Sequence, residues 1–213
     1  MDERSPSTFP PPESPADGNG RLEAHVSTDD IPALVARAQS SARRLRFTSS
    51  CLDEVGRLLS RLAATDGVGT IGEIGSGLGV GTAWLASGLR PGQRLVTVES
   101  DPARAAAVRD LFAAETAVDV LAGDWRAILD HGPFAVLFID APAKAEPPDT
   151  FLPALAPGGT VVLDDLTPVD RWPPEWRGQP DPVRDAWLCH PGFAAEEVRV
   201  RDDAAVILAR RRR

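Results

Sequence analysis

Thr-Ile-Gly-Glu-Ile-Gly-Ser-Gly-Leu-Gly-Val-Gly occupies residues 70–81 and joins a short apolar run to a helical pattern at 82–89. The run carries one acid, Glu73. Gly75, Gly77, Gly79 and Gly81 then fall at alternate positions. Glycine permits positive φ and lets a ligand approach the backbone with no Cβ in the way. A strand-to-helix turn of this kind is where an open α/β sheet holds a nucleotide-like ligand. Taken alone, the same turn is equally a tight β–α connection without a ligand.

Working outward, the pattern after Gly67 alternates strand and helix. Strands are expected at 71–74, 94–98, 118–121, 134–139 and 160–163, with helices at 79–89, 102–113, 127–129 and 151–155 between them. Uninterrupted β-rich runs separated by helices mark a parallel sheet covered on both faces. Two further β-like runs, 197–200 and 205–208, stand at hairpin spacing after a helix near 182–188. The expected fold is therefore α/β: a doubly wound, Rossmann-like, seven-stranded sheet of five parallel strands plus a C-terminal antiparallel pair. Before the sheet, helices are expected over 31–44, led by Thr28-Asp29-Asp30, and from Thr48-Ser49-Ser50 to about 66. Residues 1–30, rich in Pro, Ser, Asp and Gly, read as a disordered arm, 31–209 as the folded domain, and 210–213 as a solvated arginine tail.

Composition narrows the class. The 213 residues are 43% hydrophobic and 25% charged, with a formal net charge of −8. One domain with appendages is the natural expectation. An acidic balance argues against phosphate-backbone binding, which needs a basic surface, so nucleic acid is an unexpected partner. Cys51 and Cys189 lack metal-ligand spacing and suit packed thiols in a reducing compartment. With no membrane-length apolar run and no signal-like start, the expected location is the cytoplasm.

The acids fall at strand ends. Glu99 closes the second strand, where a carboxylate can accept bonds from two ribose hydroxyls. Asp124 follows the third, placed to meet an adenine amino group or to cap the helix after it, and Trp125 offers a stacking face. Asp140 ends the fourth strand, and Asp164 and Asp165 end the fifth. Glu73 separates two cofactors: a pyrophosphate disfavours a nearby anion, whereas an amino-acid-bearing ligand has an ammonium for it. That favours S-adenosyl-L-methionine over NAD, although Glu73 could also simply hold the loop.

Glu73-Ile74-Gly75-Ser76-Gly77-Leu78-Gly79 resembles the first motif of class I S-adenosylmethionine-dependent methyltransferases. Val98-Glu99-Ser100-Asp101-Pro102 resembles their acidic second motif, and Gly123-Asp124-Trp125 their adenine-side motif. With Phe138-Ile139-Asp140 and residues 158–165, the set is similar to the catechol-O-methyltransferase-like family and its bacterial O-methyltransferase relatives. The resemblance implies that Gly75, Ser76, Gly77 and Gly81, with Glu73, lie against the methionine part, Glu99 against the ribose and Asp124 with Trp125 against the adenine, with Asp140 also at the cofactor.

It further implies a divalent cation, usually magnesium, at Asp140, Asp164 and Asp165. Independently, neighbouring strands lie about 4.8 Å apart, so Asp140 and Asp164 can converge, and converging carboxylates call for a hard cation or a proton. Two positions depart from the family: Asp165 stands where Asn is usual, and Lys144 falls four rather than three residues after Asp140. Lys144 is a candidate general base beside Asp140, or an exposed loop lysine. Trp172 and Trp176 in the proline-rich stretch 166–180 are expected to wall a flat hydroxylated acceptor or to pin the loop to the core, and His131 is expected at the surface.

The expected reaction is methyl transfer from S-adenosylmethionine to the oxygen of a small molecule. Metal-independent transfer, a tRNA-modifying relative, a catalytically silent cofactor-binding protein and an NAD-dependent reductase are the alternatives; a homodimer is compatible with all of them.

Overall fold

The computed structural model describes residues 31–64 and 69–213. The expected arm at 1–30 and the helix start Thr28-Asp29-Asp30 lie outside them. Within the unit Ile31–Arg213, α1 (Ala33–Arg44) and α2 (Asp53–Ala63) precede an alternation of β1 (Thr70–Ile74), α3 (Val80–Gly88), β2 (Arg94–Glu99), α4 (Pro102–Leu111), β3 (Val118–Ala122), β4 (Phe134–Ile139) and β5 (Leu155–Leu166). Then come α5 (Pro182–Leu188), β6 (Phe193–Arg201) and β7 (Ala204–Arg211). The seven strands form one sheet in the order β3-β2-β1-β4-β5-β7-β6, the first five parallel and β7 antiparallel to both neighbours. The strand order reverses between β1 and β4, which opens a crevice at their carboxyl ends.

Side chains alternate across the central strands, and both faces are buried. Leu137 and Ile139 of β4 pack with Ile74, Val98, Leu163 and Trp187 on one face. Val136 and Phe138 pack with Ile71, Leu95, Val162 and the α2 residues Val55 and Leu59 on the other. The same period of two sends Glu73 and Thr97 to the α2/α3 face. Helix starts follow their sequence signals. Asp101 accepts from the N–H groups of Ala103 and Arg104, with Pro102 in the first turn, and Asp181 accepts from Val183 and Arg184, with Pro182 in the first turn.

Several expectations change. The Thr48-Ser49-Ser50 run does not start a helix; α2 begins at Asp53, behind an extended Leu52, because Ser49 and Ser50 face a cavity. The segments expected as helices at 127–129 and 151–155 are 3-10 turns, at Trp125–His131, Pro148–Thr150 and Leu152–Ala154; around the latter two, Pro148 and Pro153 bar a longer hydrogen-bonded run. The arginine tail is partly strand. Arg210 and Arg211 belong to β7, and the side chains of Arg210, Arg211 and Arg212 donate to the carbonyls of Gly158, Leu152 and Phe193. No helix among the described residues is long and apolar enough to cross a membrane.

Helix α3 is buried from Val80 to Leu85 and tolerates this because small residues let its neighbours come close. A Cβ on Gly88 would stand 2.1 Å from the Ser60 carbonyl oxygen of α2, a backbone atom that cannot swing aside. Gly88→Ala is therefore expected to lower stability in urea unfolding by about 1–3 kcal/mol, despite alanine's better helix propensity.

Candidate active site

The crevice is built on backbone spacing. The Asp140 N–H donates to the Ile74 carbonyl (3.0 Å) and the Gly75 N–H to that of Val98 (2.9 Å), so β1, β2 and β4 end at one level. Gly75 has φ +96°, and a Cβ there would sit 2.4 Å from the Asp140 carbonyl oxygen; no other residue fits. The result is a cavity of about 720 Å³. Glu73, Gly75, Ser76, Gly77, Gly81, Glu99, Asp124, Trp125, Asp140, Lys144 and Asp165 all line it, with Asp164 buried just behind.

Glu73 forms the floor. Its Oε2 accepts from the hydroxyls of Thr82 (2.5 Å) and Thr97 (2.6 Å). Because Thr97 uses its one hydroxyl proton on Glu73, Ser76 Oγ, 2.6 Å away, must donate to Thr97. Burial pushes the Glu73 carboxyl up to about 7; the two threonine bonds oppose the rise and the charge of Glu99 adds to it. Its Oε1 is buried without a hydrogen-bond partner, and so is Ser50 Oγ in the cavity wall. Buried polar atoms are rarely left so, and an acceptor and a hydroxyl together fit the ammonium and carboxylate of an α-amino acid. Sequence reasoning missed Ser50 because its serine-rich run looked like a helix cap.

At the end of β2, Glu99 Oε2 accepts from the Gly77 N–H (2.9 Å), and Oε1 from the Asp101 N–H (2.9 Å) and Arg104 (2.8 Å). Burial raises its carboxyl, but Arg104 and the two backbone donors outweigh it and hold the group below the usual carboxylate range. Glu99 is thus a fixed anion. The Phe47 ring covers Gly77, and the Arg104 guanidinium lies 5.8 Å from that ring. Asp124 is a helix cap, its Oδ1 accepting from the Arg126 N–H (2.8 Å), and it also lines the cavity. Trp125 is covered on one face by Arg126, 4.5 Å from the ring centre. His131 is exposed, as expected.

Asp140, Asp164 and Asp165 converge, each offering an oxygen within 4.8 Å of the others. Burial raises Asp140 to about 8, with the charges of Asp164 and Asp165 adding to it. Burial likewise raises Asp164 to about 6, against the bond it accepts from the Asp165 N–H. Three hard oxygens with unbalanced charge are a donor set that suits magnesium. Asp165 has φ +62°, a region Asn and Asp tolerate better than other side chains; that is a physical reason for either to stand here. Lys144 is not an exposed loop lysine. Its side chain is 23% exposed, and its Nζ lies 3.0 Å from the Asp164 carbonyl and 3.4 Å from Asp165 Oδ2.

A second cavity of about 400 Å³ shares Lys144 and Asp165 with the first and continues past Trp172, Trp176 and Val183. Trp172 donates its ring N–H to the Thr167 carbonyl (3.0 Å), which pins the loop, and still lines the cavity. The two indoles are perpendicular, with centres 6.3 Å apart.

A family profile described as "Methyltransferase domain" matches residues 73–166. The chain is 32% identical over 151 residues to a Mycobacteroides abscessus protein named as an O-methyltransferase, covering 66% of this chain and 68% of that one. It is 36% identical over 135 residues to the catechol O-methyltransferase of Mycobacterium tuberculosis, spanning 60% of each protein. Its fold matches the Bacillus cereus O-methyltransferase solved in complex with SAH, with TM-score 0.70 and 22% identity over 87% of this chain and 94% of that one.

The buried acids fix the sign of the pH dependence. Glu73, Asp140 and Asp164 hold their protons in the folded chain to higher pH than in the unfolded chain, whose values are near 4. Between about pH 4 and 8 the unfolded state therefore binds fewer protons, and stability falls as pH rises. The ligand-free Tm is expected to drop from pH 5 to 8. Glu73→Gln should reduce the fall, whose Glu73 share is about 3 kcal/mol.

Proposed function

The chain belongs to the S-adenosylmethionine-dependent O-methyltransferase family, and from that premise we propose that it methylates a hydroxyl of a small molecule with the help of a divalent cation. The observation that carries this reading is the junction of two cavities at Lys144 and Asp165. One cavity has the donors and acceptors for the cofactor, and the other opens where an acceptor would approach.

In this reading Glu73 Oε1 and Ser50 Oγ receive the amino-acid end of S-adenosylmethionine, Glu99 Oε2 takes the ribose, and Asp124 with Trp125 flanks the adenine. When bound, the cofactor supplies a methyl whose C–S bond breaks as the acceptor oxygen bonds to it; the electron pair stays on sulfur, and the hydroxyl proton is released. The chain's main contribution is to hold the two reactants in line. Asp140, Asp164 and Asp165 are the residues that would hold magnesium, and the Lewis acidity it would supply there favours loss of the acceptor's hydroxyl proton. Lys144, between Asp165 and the Asp164 carbonyl, is the group placed to relay the proton or to steady the developing oxyanion.

A second reading, metal-independent transfer, draws on the same lysine, since its ammonium already faces the cluster. The acceptor is a small molecule, not a nucleic acid or membrane, and the compartment is the cytoplasm.

Calorimetry with S-adenosylhomocysteine tests the cofactor half, and activity in EDTA against magnesium tests the metal half. Glu99→Ala is expected to weaken S-adenosylhomocysteine by about tenfold to a hundredfold, the loss of hydrogen bonds to a charged group. Asp164→Asn is expected to leave that affinity within about threefold and to cut the magnesium-supported rate by at least about a hundredfold. Full activity in EDTA would sink the metal assignment, and no S-adenosylhomocysteine binding would sink the reading as a whole.

A further inference from the structure

Of the 23 lysines and arginines in these 213 residues, one is a lysine, Lys144. An arginine keeps its proton at any pH a protein meets, whereas an amine can give one up. The chain's single side-chain amine thus stands where the two cavities meet, its Nζ 3.0 Å from the Asp164 carbonyl oxygen and 3.4 Å from Asp165 Oδ2. A four-carbon stem is flexible, so the place of the amine depends on how firmly the backbone beneath it is held.

That backbone is one 3-10 turn, Pro142–Ala145. Pro142 restricts its first φ, and Ala143 is buried in the same core cluster as Trp187 of α5. The Lys144 N–H donates to the Ala141 carbonyl (3.1 Å) and the Glu146 N–H to that of Ala143 (3.0 Å). The Lys144 carbonyl is met from outside the turn: Trp187 Nε1, 43 residues further along the chain, donates to it at 3.1 Å.

The donor is itself closely aimed. Trp187 is fully buried, and its ring packs against Phe151 (5.7 Å between centres) and Phe193 (5.4 Å). Phe151 in turn meets Trp125, a wall residue of the first cavity, at 5.5 Å. A buried indole N–H needs an acceptor, and a ring packed in this way has little freedom to turn to another. Without that N–H, the part-buried Lys144 carbonyl regains a partner only by moving toward water. Such a shift carries Lys144 with it, and a misplacement of about 1 Å in a reacting group can cost about a hundredfold in rate.

Resting on the methyl-transfer reading above, we propose that Trp187 is a positioning residue for that reaction: its indole N–H fixes the Lys144 backbone and so holds the amine beside Asp164 and Asp165. A Trp187 that served packing alone would contribute stability and leave the lysine undisturbed when its N–H is removed.

The test uses the full chain grown with lysine carrying 13C at its ε carbon. With one lysine in the sequence, one labelled side chain reports on the site by NMR. Trp187→Phe keeps an aromatic ring and removes the N–H. The Lys144 signal is expected to move toward the position of free lysine, while S-adenosylhomocysteine affinity stays within about threefold. With magnesium and catechol as the acceptor probe, kcat is expected to fall by about tenfold and KM to stay within about threefold. Benzothienylalanine placed at position 187 has the shape of the indole without its N–H. It should act in the same way, and it separates loss of the bond from loss of packing should Trp187→Phe fold poorly. A lower Tm with the Lys144 signal at its wild-type position in both variants would overturn the proposal, as would catechol turnover at the wild-type kcat in both. The signal needs no acceptor, so it decides the matter even if catechol is not turned over. Failure of the methyl-transfer reading looks different: S-adenosylhomocysteine does not bind the wild-type chain, while the Lys144 signal still moves in both variants.

Discussion

A carboxylate held inside the sheet is the constraint around which the crevice is arranged. Glu73 lies on β1 with 1% of its surface exposed, and its position is fixed from two neighbouring elements. Thr82 reaches it from α3 and Thr97 from β2, while a Cβ on Gly81 would stand 2.5 Å from its Oε1. Ser76 joins the same chain of hydroxyls. The glycine turn, the start of α3 and the end of β2 are thereby tied to one acid whose burial is unfavourable until its free oxygen gains a partner. A cavity floor that costs stability without a ligand is the usual bargain of a binding site.

The acids divide into two kinds according to what surrounds them. Glu99 and Asp101 accept backbone and arginine donors, which hold them below the ordinary carboxylate range. They are rigid anions in any solution near neutrality. Glu73, Asp140 and Asp164 are buried with too few donors, and their protons are retained to higher pH. Groups pushed in opposite directions within one cleft are a mark of functional sites. Of the first kind, Glu99 lines the cavity and Asp101 caps α4; of the second, Glu73 and Asp140 line the cavity and Asp164 is buried.

Much of the candidate site was legible because period and position are sequence properties. Strand ends in a parallel sheet converge by topology, so Glu99, Asp124, Asp140 and Asp164 could be grouped before any coordinates. Where the reading slipped, the cause was a residue type with two uses. Serine and threonine before an acidic pair signal a helix start, yet Ser49 and Ser50 turn to the cavity and α2 begins at Asp53. An arginine run usually signals solvent, yet Arg210 and Arg211 extend β7 because its partner β6 runs out to Phe193. Lys144 read equally as a candidate base beside Asp140 or as an exposed loop lysine. The 3-10 turn at Pro142–Ala145 shortens the path and brings its amine to the Asp164 carbonyl.

The sequence by itself determined the alternation of strands and helices, the glycine turn after β1 and the set of acids at the carboxyl edge. These follow from local periodicity and from the few backbone conformations that glycine and proline favour. Only the tertiary structure decided which oxygen of Glu73 is unpartnered, that Trp172 and Trp176 meet at a right angle, and that two cavities join at Lys144 and Asp165. Those facts depend on side chains brought together from distant elements, where burial and donor count, not residue type, set charge and shape. The turn that opens α3 is written in a dozen consecutive residues; the second cavity is assembled from the 3-10 turn after β4, the end of β5 with the loop that follows, and the start of α5.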